Sequence, residues 1–259
     1  MLWWRVVTAL VLAPVVLGAI VYGGWAILVV VLVVAARAAQ ELARALEPLP
    51  FLAAFGAGAF PILLSIPYGI NGILAGVFLS LLWALLWLAG WPKARTLRAL
   101  LTLLLMVLWI GVPLAHLGLI EELAGGTYLV LIAVVGPWIS DSGAYFTGRF
   151  LGRRLLFPSL SPKKTYEGAI GGLLVTTVTV GFVAHKFLGL EPIEAALLLG
   201  VAISVFSQAG DLFESILKRL LDLKDLGRAL PGHGGILDRI DSLLFTVPTV
   251  YYLYIFFAQ

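Results

Sequence analysis

Residues 204–242 read SVFSQAGDLFESILKRLLDLKDLGRALPGHGGILDRIDS and join two long apolar stretches. Polar side chains in the first part recur at intervals of three and four, which places them on one face of a helix. They are Ser207, Asp211, Glu214, Ser215 and Lys218. Glycines occupy three of the five positions 231–235, so backbone N–H groups there can approach a ligand closely. Carboxylates, cations and a glycine turn in one stretch indicate a site for a metal-bound phosphate compound.

The composition is that of an integral membrane protein. Of the 259 residues, 61% are hydrophobic and only 12% are charged, whereas soluble domains carry about 25% charged residues. The mean hydropathy is +1.06. A soluble fold would need a core with almost no surface. Cysteine is absent, so disulfides and thiolate chemistry are excluded.

Apolar stretches predict an all-α, polytopic integral membrane protein with about nine transmembrane helices, since a span needs about 20 apolar residues. These helices are expected at 4–22, 24–45, 49–66, 69–90, 96–118, 126–149, 168–188, 192–219 and 238–257. The first stretch is followed by a second apolar stretch, which favours a retained span over a cleaved signal. Residues 1–120 are predicted to form N-terminal transmembrane helices. Residues 121–259 are predicted to form the catalytic region, with polar loops at 149–167 and 218–239.

The positive charges predict the orientation. Every Lys and Arg except Arg5 and Lys186 follows an even-numbered helix. Loops rich in Lys and Arg stay in the cytoplasm. The loops 149–167 and 218–239 are therefore expected in the cytoplasm, with both termini outside. Arg5 conflicts with this arrangement locally, and the count falls to eight if the first segment does not cross.

Asp211 lies well inside the eighth apolar stretch, where a carboxylate is costly and usually faces a partner or a wet cavity. One interpretation is a structural ion pair with a Lys or Arg across helices. The other is a ligand of Mg²⁺, which takes oxygen ligands and is shared with substrate phosphates. Glu214 and Asp238 favour the metal site. Asp241, three residues after Asp238, would either bind the metal or cap the helix.

His233 and the nearby cations each have two interpretations. His233 would make a structural hydrogen bond in a tight turn, or would contact a ligand or donate a proton. Phosphoryl-type chemistry depends chiefly on position and charge neutralisation, which favours a ligand contact. Lys218 and the other cations would either determine topology and contact anionic lipids, or bind phosphate. With Asp211 and Asp238, Lys218 and His233 form the predicted catalytic set.

The pattern S-x-x-K-R-x4-K-D-x-G-x2-L-P-G-H-G-G-x-x-D-R-x-D, from Ser215 to Asp241, resembles the signature of the phosphatidate cytidylyltransferase (CDP-diacylglycerol synthase) family without a departure. The resemblance extends to SDSGAYFTGR (Ser140–Arg149) and SPKKTYEGAIGG (Ser161–Gly172). The N-terminal half matches only in hydrophobic character. On this basis the predicted substrate-binding residues are Asp141, Ser161, Lys163, Lys164, Thr165, Ser215, Arg219, Lys224, Gly234, Gly235 and Arg239.

The resemblance implies a function in phospholipid biosynthesis in the cell (inner) membrane. The implied reaction is CTP plus phosphatidate giving CDP-diacylglycerol and pyrophosphate. It also implies Mg²⁺, a second cation and a homodimer, and no nucleic-acid partner is expected. The alternatives within the enzyme class are a CDP-archaeol synthase and a polyprenol kinase. An ion or anion transporter is a further alternative, since intramembrane carboxylates also mark ion paths. Transporters often show interrupted helices in both halves, whereas the polar residues here lie mainly in one half.

Single-cysteine variants test the orientation, because the chain has no cysteine of its own. Lys163→Cys and Lys224→Cys are expected to resist an impermeant thiol reagent added to intact cells, and to react after the membrane is opened. The positive loops that carry both residues should lie in the cytoplasm. Labelling of either position from outside would contradict the predicted orientation.

Overall fold

The computed structural model describes residues 2–227 and 234–258, with side chains from residue 10 onward. Most of this chain is helical. The α-helices are α1 (Leu2–Tyr22), α2 (Trp25–Leu46), α3 (Phe51–Ala89), α4 (Thr96–Leu105), α5 (Val112–Glu121), α6 (Gly126–Leu151), α7 (Tyr166–Leu188), α8 (Ile193–Leu220) and α9 (Leu237–Ala258). In the described chain, seven helical segments are long and apolar enough to cross a membrane. They are α2, α3, residues 93–121, α6, α7, α8 and α9. The all-α, multi-pass class is therefore confirmed.

Helix α3 is a helical hairpin rather than one long rod. Its backbone breaks at Gly69, with φ 57° and ψ −136°, a conformation that glycine adopts readily. Beyond the break, the Ser80 hydroxyl donates to the carbonyl oxygen of Ala57 at 2.7 Å. The Trp83 indole N–H donates to the carbonyl oxygen of Ala53 at 3.2 Å. The two halves therefore pack antiparallel, in the regions where the sequence predicts separate helices at 49–66 and 69–90.

Residues 93–121 form one helical path with two changes of winding. A 3₁₀ turn (Lys93–Arg95) precedes α4, and a π-helical segment (Met106–Gly111) joins α4 to α5. Pro113 follows the π segment. Its ring lacks an N–H and would crowd the carbonyl group of Trp109 in a regular α-helix, so a wider turn accommodates it. The predicted span 96–118 lies inside this path.

Two compact units make up the chain. The first draws its described residues from 1–122 and 221–240, and the second from 123–220 and 241–259. The described residues of 221–227 and 234–240, which belong to the signature stretch, thus pack with the N-terminal helices. The division at residue 120 into transmembrane and catalytic regions stays a prediction about function.

The core of the first unit contains large apolar side chains that are fully buried. They include Leu42, Leu103, Met106, Ile110, Leu114 and Ile120. Gly58 in α3 and Gly111 at the end of the π segment bring two backbones together. A methyl group on Gly111 would collide with the carbonyl oxygen of Gly58. The close approach of these helices therefore depends on the missing side chain at Gly111.

The second unit consists of α6, α7, α8 and most of α9, with one small hairpin. Strands β1 (Leu155–Phe157) and β2 (Ser161–Thr165) pair antiparallel. A turn with Pro158 at its second position joins them, and the Leu160 N–H donates to the carbonyl oxygen of Phe157 at 3.1 Å. The polar loop predicted at 149–167 is thus the end of α6 followed by a β-hairpin. Helix α9 bonds to α6 through Thr246, whose hydroxyl donates to the carbonyl oxygen of Ala133 at 3.0 Å.

Substitution of Gly111 tests the close helix contact. Gly111→Ala is expected to lower the free energy of unfolding by about 1–3 kcal/mol, because the added methyl group overpacks the contact with Gly58. Gly118→Ala is the matched control, since a methyl group there meets no described atom within 4 Å. It should be neutral or stabilise the helix by up to about 1 kcal/mol. Thermal unfolding in detergent measures both, and equal stability of the two variants would contradict the packing.

Candidate active site

Helix α8 presents the polar face that its sequence spacing predicts. Ser207 and Glu214 are buried, with 0% and 1% of their surface exposed. The Asp211 side chain between them is 31% exposed. Ser215 and Lys218 are half-buried on the following turn. The face therefore runs from a buried hydroxyl to partly solvated charged groups.

The SPKK segment contacts this face. Lys164 lies on β2, and its ammonium group forms an ion pair with the Asp211 carboxylate. About 29% of the Lys164 side chain is exposed. Two motifs that are separated in the sequence therefore meet at one point. Asp211 therefore has a Lys partner, although on a β-strand rather than across helices, and the ion pair brings a cation from a predicted phosphate-binding loop next to a predicted metal ligand.

A further carboxylate reaches the same place from α9. Asp241 is 8% exposed and interacts electrostatically with Asp211, Asp141 and Lys218. Gly210 permits this approach, because a methyl group there would lie 2.5 Å from the backbone oxygen of Asp241. One Asp241 oxygen also accepts the N–H of Ser242 at 2.7 Å. Metal binding and helix capping both remain open for Asp241.

The cations of α8 make local contacts. Lys218 forms an ion pair with Glu214 one turn earlier at 2.5 Å. Arg219 is exposed, and its guanidinium donates to the carbonyl oxygen of Leu160 at 3.4 Å. Leu160 lies in the turn of the β-hairpin, so this bond adds to the Lys164 contact. The hairpin is consequently held against the C-terminal half of α8.

The hairpin also has local supports. Thr165 caps α7, with its hydroxyl accepting the N–H of Gly168 at 3.1 Å. Glu167 accepts the N–H groups of Arg153 and Arg154 at 3.1 and 3.3 Å. Sequence reasoning missed this role of Glu167, although its position in the first turn of α7 is a typical place for a carboxylate. Ser161 and Lys163 also lie on β2, half-buried and exposed respectively, and their substrate contacts stay predictions.

The other predicted site residues belong to the first unit. The N–H of Gly235 donates to the Asp238 carboxylate at 2.7 Å. Gly234 has φ 81°, which glycine tolerates. Lys224 and Arg239 are exposed. Asp238 thus supports the turn before α9, and its predicted role as a metal ligand stays a prediction. His233 lies outside the described residues.

Besides Asp238, the first unit has a carboxylate that sequence reasoning missed, that of Glu41. Glu41 on α2 is 5% exposed. Its two oxygens accept the N–H groups of Ile236 and Leu237 at 2.9 and 3.0 Å. An acidic residue inside the second apolar stretch was the available signal, because such residues usually have a partner. Its partner, 195 residues away, could not be named from that signal.

The carboxylate oxygens of the candidate site suit Mg²⁺ if a phosphate compound supplies further oxygen ligands. No three Asp, Glu or His side chains within 2–227 and 234–258 are grouped so that they could hold a metal ion alone. Mg²⁺ is usually held by one or two carboxylates together with waters and substrate phosphates. In the second unit, Asp211 and Asp241 offer such oxygen ligands. The residues present therefore suit a cation that arrives with a phosphate compound.

An apolar groove of about 420 Å³ lies between α6 and α7 in the second unit. Its lining includes Trp138, Ser142, Phe146 and Val175. Trp138 and Ser142 are within one helical turn of Asp141. An apolar groove beside a carboxylate suits a ligand that has both a hydrocarbon part and a charged part.

The fold is that of a multi-pass membrane protein, and comparison with known proteins gives its family. A model described as the cytidylyltransferase family matches residues 3–257. The chain belongs to this family.

Three curated relatives share the name phosphatidate cytidylyltransferase. The protein from Bacillus subtilis is 48% identical over 134 residues, which are 52% of this chain and 49% of that protein. The one from Haemophilus influenzae is 44% identical over 135 residues, or 51% of this chain and 47% of that protein. The one from Staphylococcus saprophyticus is 40% identical over 146 residues, which are 56% of this chain and 55% of that protein. The chain spans about half the length of the curated relatives it matches.

Proposed function

We propose that this protein is a phosphatidate cytidylyltransferase, which converts CTP and phosphatidate into CDP-diacylglycerol and pyrophosphate. The observation that carries the proposal is the contact between Lys164 and Asp211. It joins the SPKK segment to the signature stretch, the two regions that resemble the family. Membership of the cytidylyltransferase family and the names of the relatives support the same reaction.

The reaction needs little covalent chemistry from the protein. An oxygen of the phosphatidate phosphate attacks the α-phosphorus of CTP, and the bond from that phosphorus to the bridging oxygen of pyrophosphate breaks. Catalysis of such a transfer rests on positioning and charge neutralisation. Lys164, Lys218 and Arg219 are the cations of the second unit that would hold phosphate oxygens through charge-assisted hydrogen bonds. A bound Mg²⁺ would supply neutralisation and orientation of the phosphates.

Asp211 and Asp241 are the carboxylates of the second unit that would hold the cation. Asp238 and Glu214 remain proposed ligands from the sequence, although Glu214 is paired with Lys218. In the structure, the Asp211 carboxylate is paired with the ammonium group of Lys164. If Asp211 held a cation, Lys164 would be available to bind a phosphate group. A second cation and a homodimer are further parts of the proposal that rest on the family resemblance.

The groove between α6 and α7 is the proposed place for part of the lipid. A phosphatidate whose phosphate lies near Asp141 and Lys164 would direct an acyl chain along Trp138, Phe146 and Val175. These residues are apolar and the groove is open. The substrate could therefore enter from the membrane, while CTP arrives from the water phase.

The proposed topology has nine spans in the cell membrane, with both termini outside and the site facing the cytoplasm. The hairpin form of α3 supports two spans within residues 51–89. The contacts of the β-hairpin with Asp211 and Arg219 support a common side for the 149–167 loop and the end of α8. The count becomes eight if α1 does not cross.

Transfer from radiolabelled CTP in detergent tests the function. Phosphatidate with Mg²⁺ is expected to give a lipid-linked cytidine product, and removal of Mg²⁺ by a chelator should abolish it. Parallel reactions with an archaeal ether-lipid acceptor and with a polyprenol test the two alternative enzymes. Folded protein that forms no cytidine lipid from phosphatidate would refute the proposal, and a phosphorylated polyprenol would identify a kinase.

Asp211→Asn separates a metal ligand from a structural ion-pair partner. The Lys164–Asp211 pair is about one-third exposed on both sides, so its loss should change stability by about 1 kcal/mol or less. Turnover of CTP should fall by about two orders of magnitude or more, because charge neutralisation dominates this chemistry. Asp238→Asn should behave alike, and the double variant should be little worse than either single variant.

Asp222→Asn is the matched control for Asp211→Asn. Asp222 is exposed in the turn after α8, with φ 53°, a conformation that Asn also adopts. The same change of charge at this position should leave turnover and stability unchanged. Near-normal turnover of Asp211→Asn at ordinary Mg²⁺ concentration would remove Asp211 from the site and leave it as an ion-pair partner of Lys164.

A further inference from the structure

The start of α9 is held by a side chain from a distant helix. The backbone N–H groups of Ile236 and Leu237 donate to the two oxygens of Glu41, at 2.9 and 3.0 Å. The preceding N–H, from Gly235, donates to Asp238 at 2.7 Å. Three successive N–H groups therefore point at two carboxylates, and Glu41 receives two of them.

The glycines around this carboxylate leave room for it. A methyl group on Gly227 would collide with the carboxyl group of Glu41. A methyl group on Gly235 would collide with the other Glu41 oxygen and would lie 2.8 Å from the carboxyl carbon. Glu41 thus fills the space that side chains at these two positions would need. Gly227 and Gly235 therefore both lie against the one buried carboxyl group of Glu41.

This arrangement replaces an ordinary helix cap. The first N–H groups of a helix have no partner within the helix, and a nearby Ser, Thr, Asp or Asn usually accepts from them. Positions 234–236 are Gly, Gly and Ile, so no such side chain immediately precedes α9. Asp238 accepts the N–H of Gly235, and Glu41 on α2 accepts the N–H groups of Ile236 and Leu237. The position of the turn is therefore tied to a rigid helix rather than to its own local sequence.

We infer that Glu41 is the positioning residue of the turn that leads into α9. Its carboxylate holds the backbone of Ile236 and Leu237, and thereby the orientation of Asp238, the next residue. The consequence for catalysis rests on the proposed function, in which Asp238 is a metal ligand. The consequence for the structure of the turn does not rest on the proposed function, because it concerns only hydrogen bonds within this chain.

Hydrogen exchange of the whole protein in detergent tests the structural part. In Glu41→Gln, the peptide covering residues 234–240 should exchange at least tenfold faster than in the wild type, because two charge-assisted bonds are weakened. Peptides from α7 should be unchanged. Glu47→Gln is the matched control, since Glu47 is 1% exposed, caps the end of α2 and pairs with Arg95 at 2.8 Å. It should leave exchange at 234–240 unaltered.

Turnover of radiolabelled CTP with phosphatidate tests the catalytic part. Per folded molecule, kcat of Glu41→Gln should fall at least tenfold, and the Mg²⁺ concentration for half-maximal rate should rise. A purely structural role would lower the yield of folded protein and leave both values unchanged. Glu47→Gln should show that second pattern. Unchanged exchange would overturn the inference that Glu41 positions the turn. Faster exchange with normal kcat and Mg²⁺ dependence would overturn its consequence for catalysis.

A double substitution tests the fit between the carboxylate and the turn. Gly235→Ala should destabilise the wild type strongly, because its methyl group meets Glu41. In Glu41→Asp the carboxylate is one methylene shorter, so adding Gly235→Ala should lower the melting temperature by less than it does in the wild type. Equal losses in both backgrounds would refute the contact. If the wild type forms no cytidine lipid, the proposed function fails, and exchange and melting still decide the role of Glu41.

Discussion

Backbone N–H groups at the start of α9 need acceptors where water is scarce, and the buried Glu41 carboxylate supplies them. Leaving one such group unsatisfied costs about 1–3 kcal/mol. Burying a carboxylate without partners costs several kcal/mol. Each cost is offset only when Glu41 meets Ile236 and Leu237. The interaction is therefore mutual: the turn requires the carboxylate, and the carboxylate on α2 requires the turn.

The second unit brings more carboxyl groups than lysine side chains together at the candidate site. Asp141, Asp211, Glu214 and Asp241 bring four carboxyl groups near two lysines, Lys164 and Lys218. With all groups ionised, two negative charges remain. An arriving divalent cation would remove that excess, and the lysines would then be available for the phosphates that accompany it. In the proposed function, the same residues would be stable without substrate and would attract a metal–nucleotide complex.

Much of the fold follows from local sequence patterns, whereas the decisive contacts do not. Apolar stretches predicted helices near their observed bounds, and spacing predicted the polar face of α8. Helix periodicity reports which residues share a face, not what that face meets. The partner of Asp211 is 47 residues away on a β-strand. The partners of Glu41 lie inside the signature stretch, 195 and 196 residues away. The sequence predicts a loop at 149–167 rather than a β-hairpin, because strands of only three and five residues leave a weak alternation pattern.

The glycines before α9 show that a glycine motif alone does not determine what its backbone N–H groups bind. Glycines near a phosphate site suggest backbone N–H groups that face the ligand. Here the N–H groups of Gly235, Ile236 and Leu237 already donate to protein carboxylates, and the small size of Gly235 makes room for Glu41. A phosphate that bound the Gly235 N–H would have to displace Asp238. In the proposed function, direct phosphate contacts are therefore better assigned to side chains such as Lys164, whose partly exposed ion pair can be exchanged at low cost.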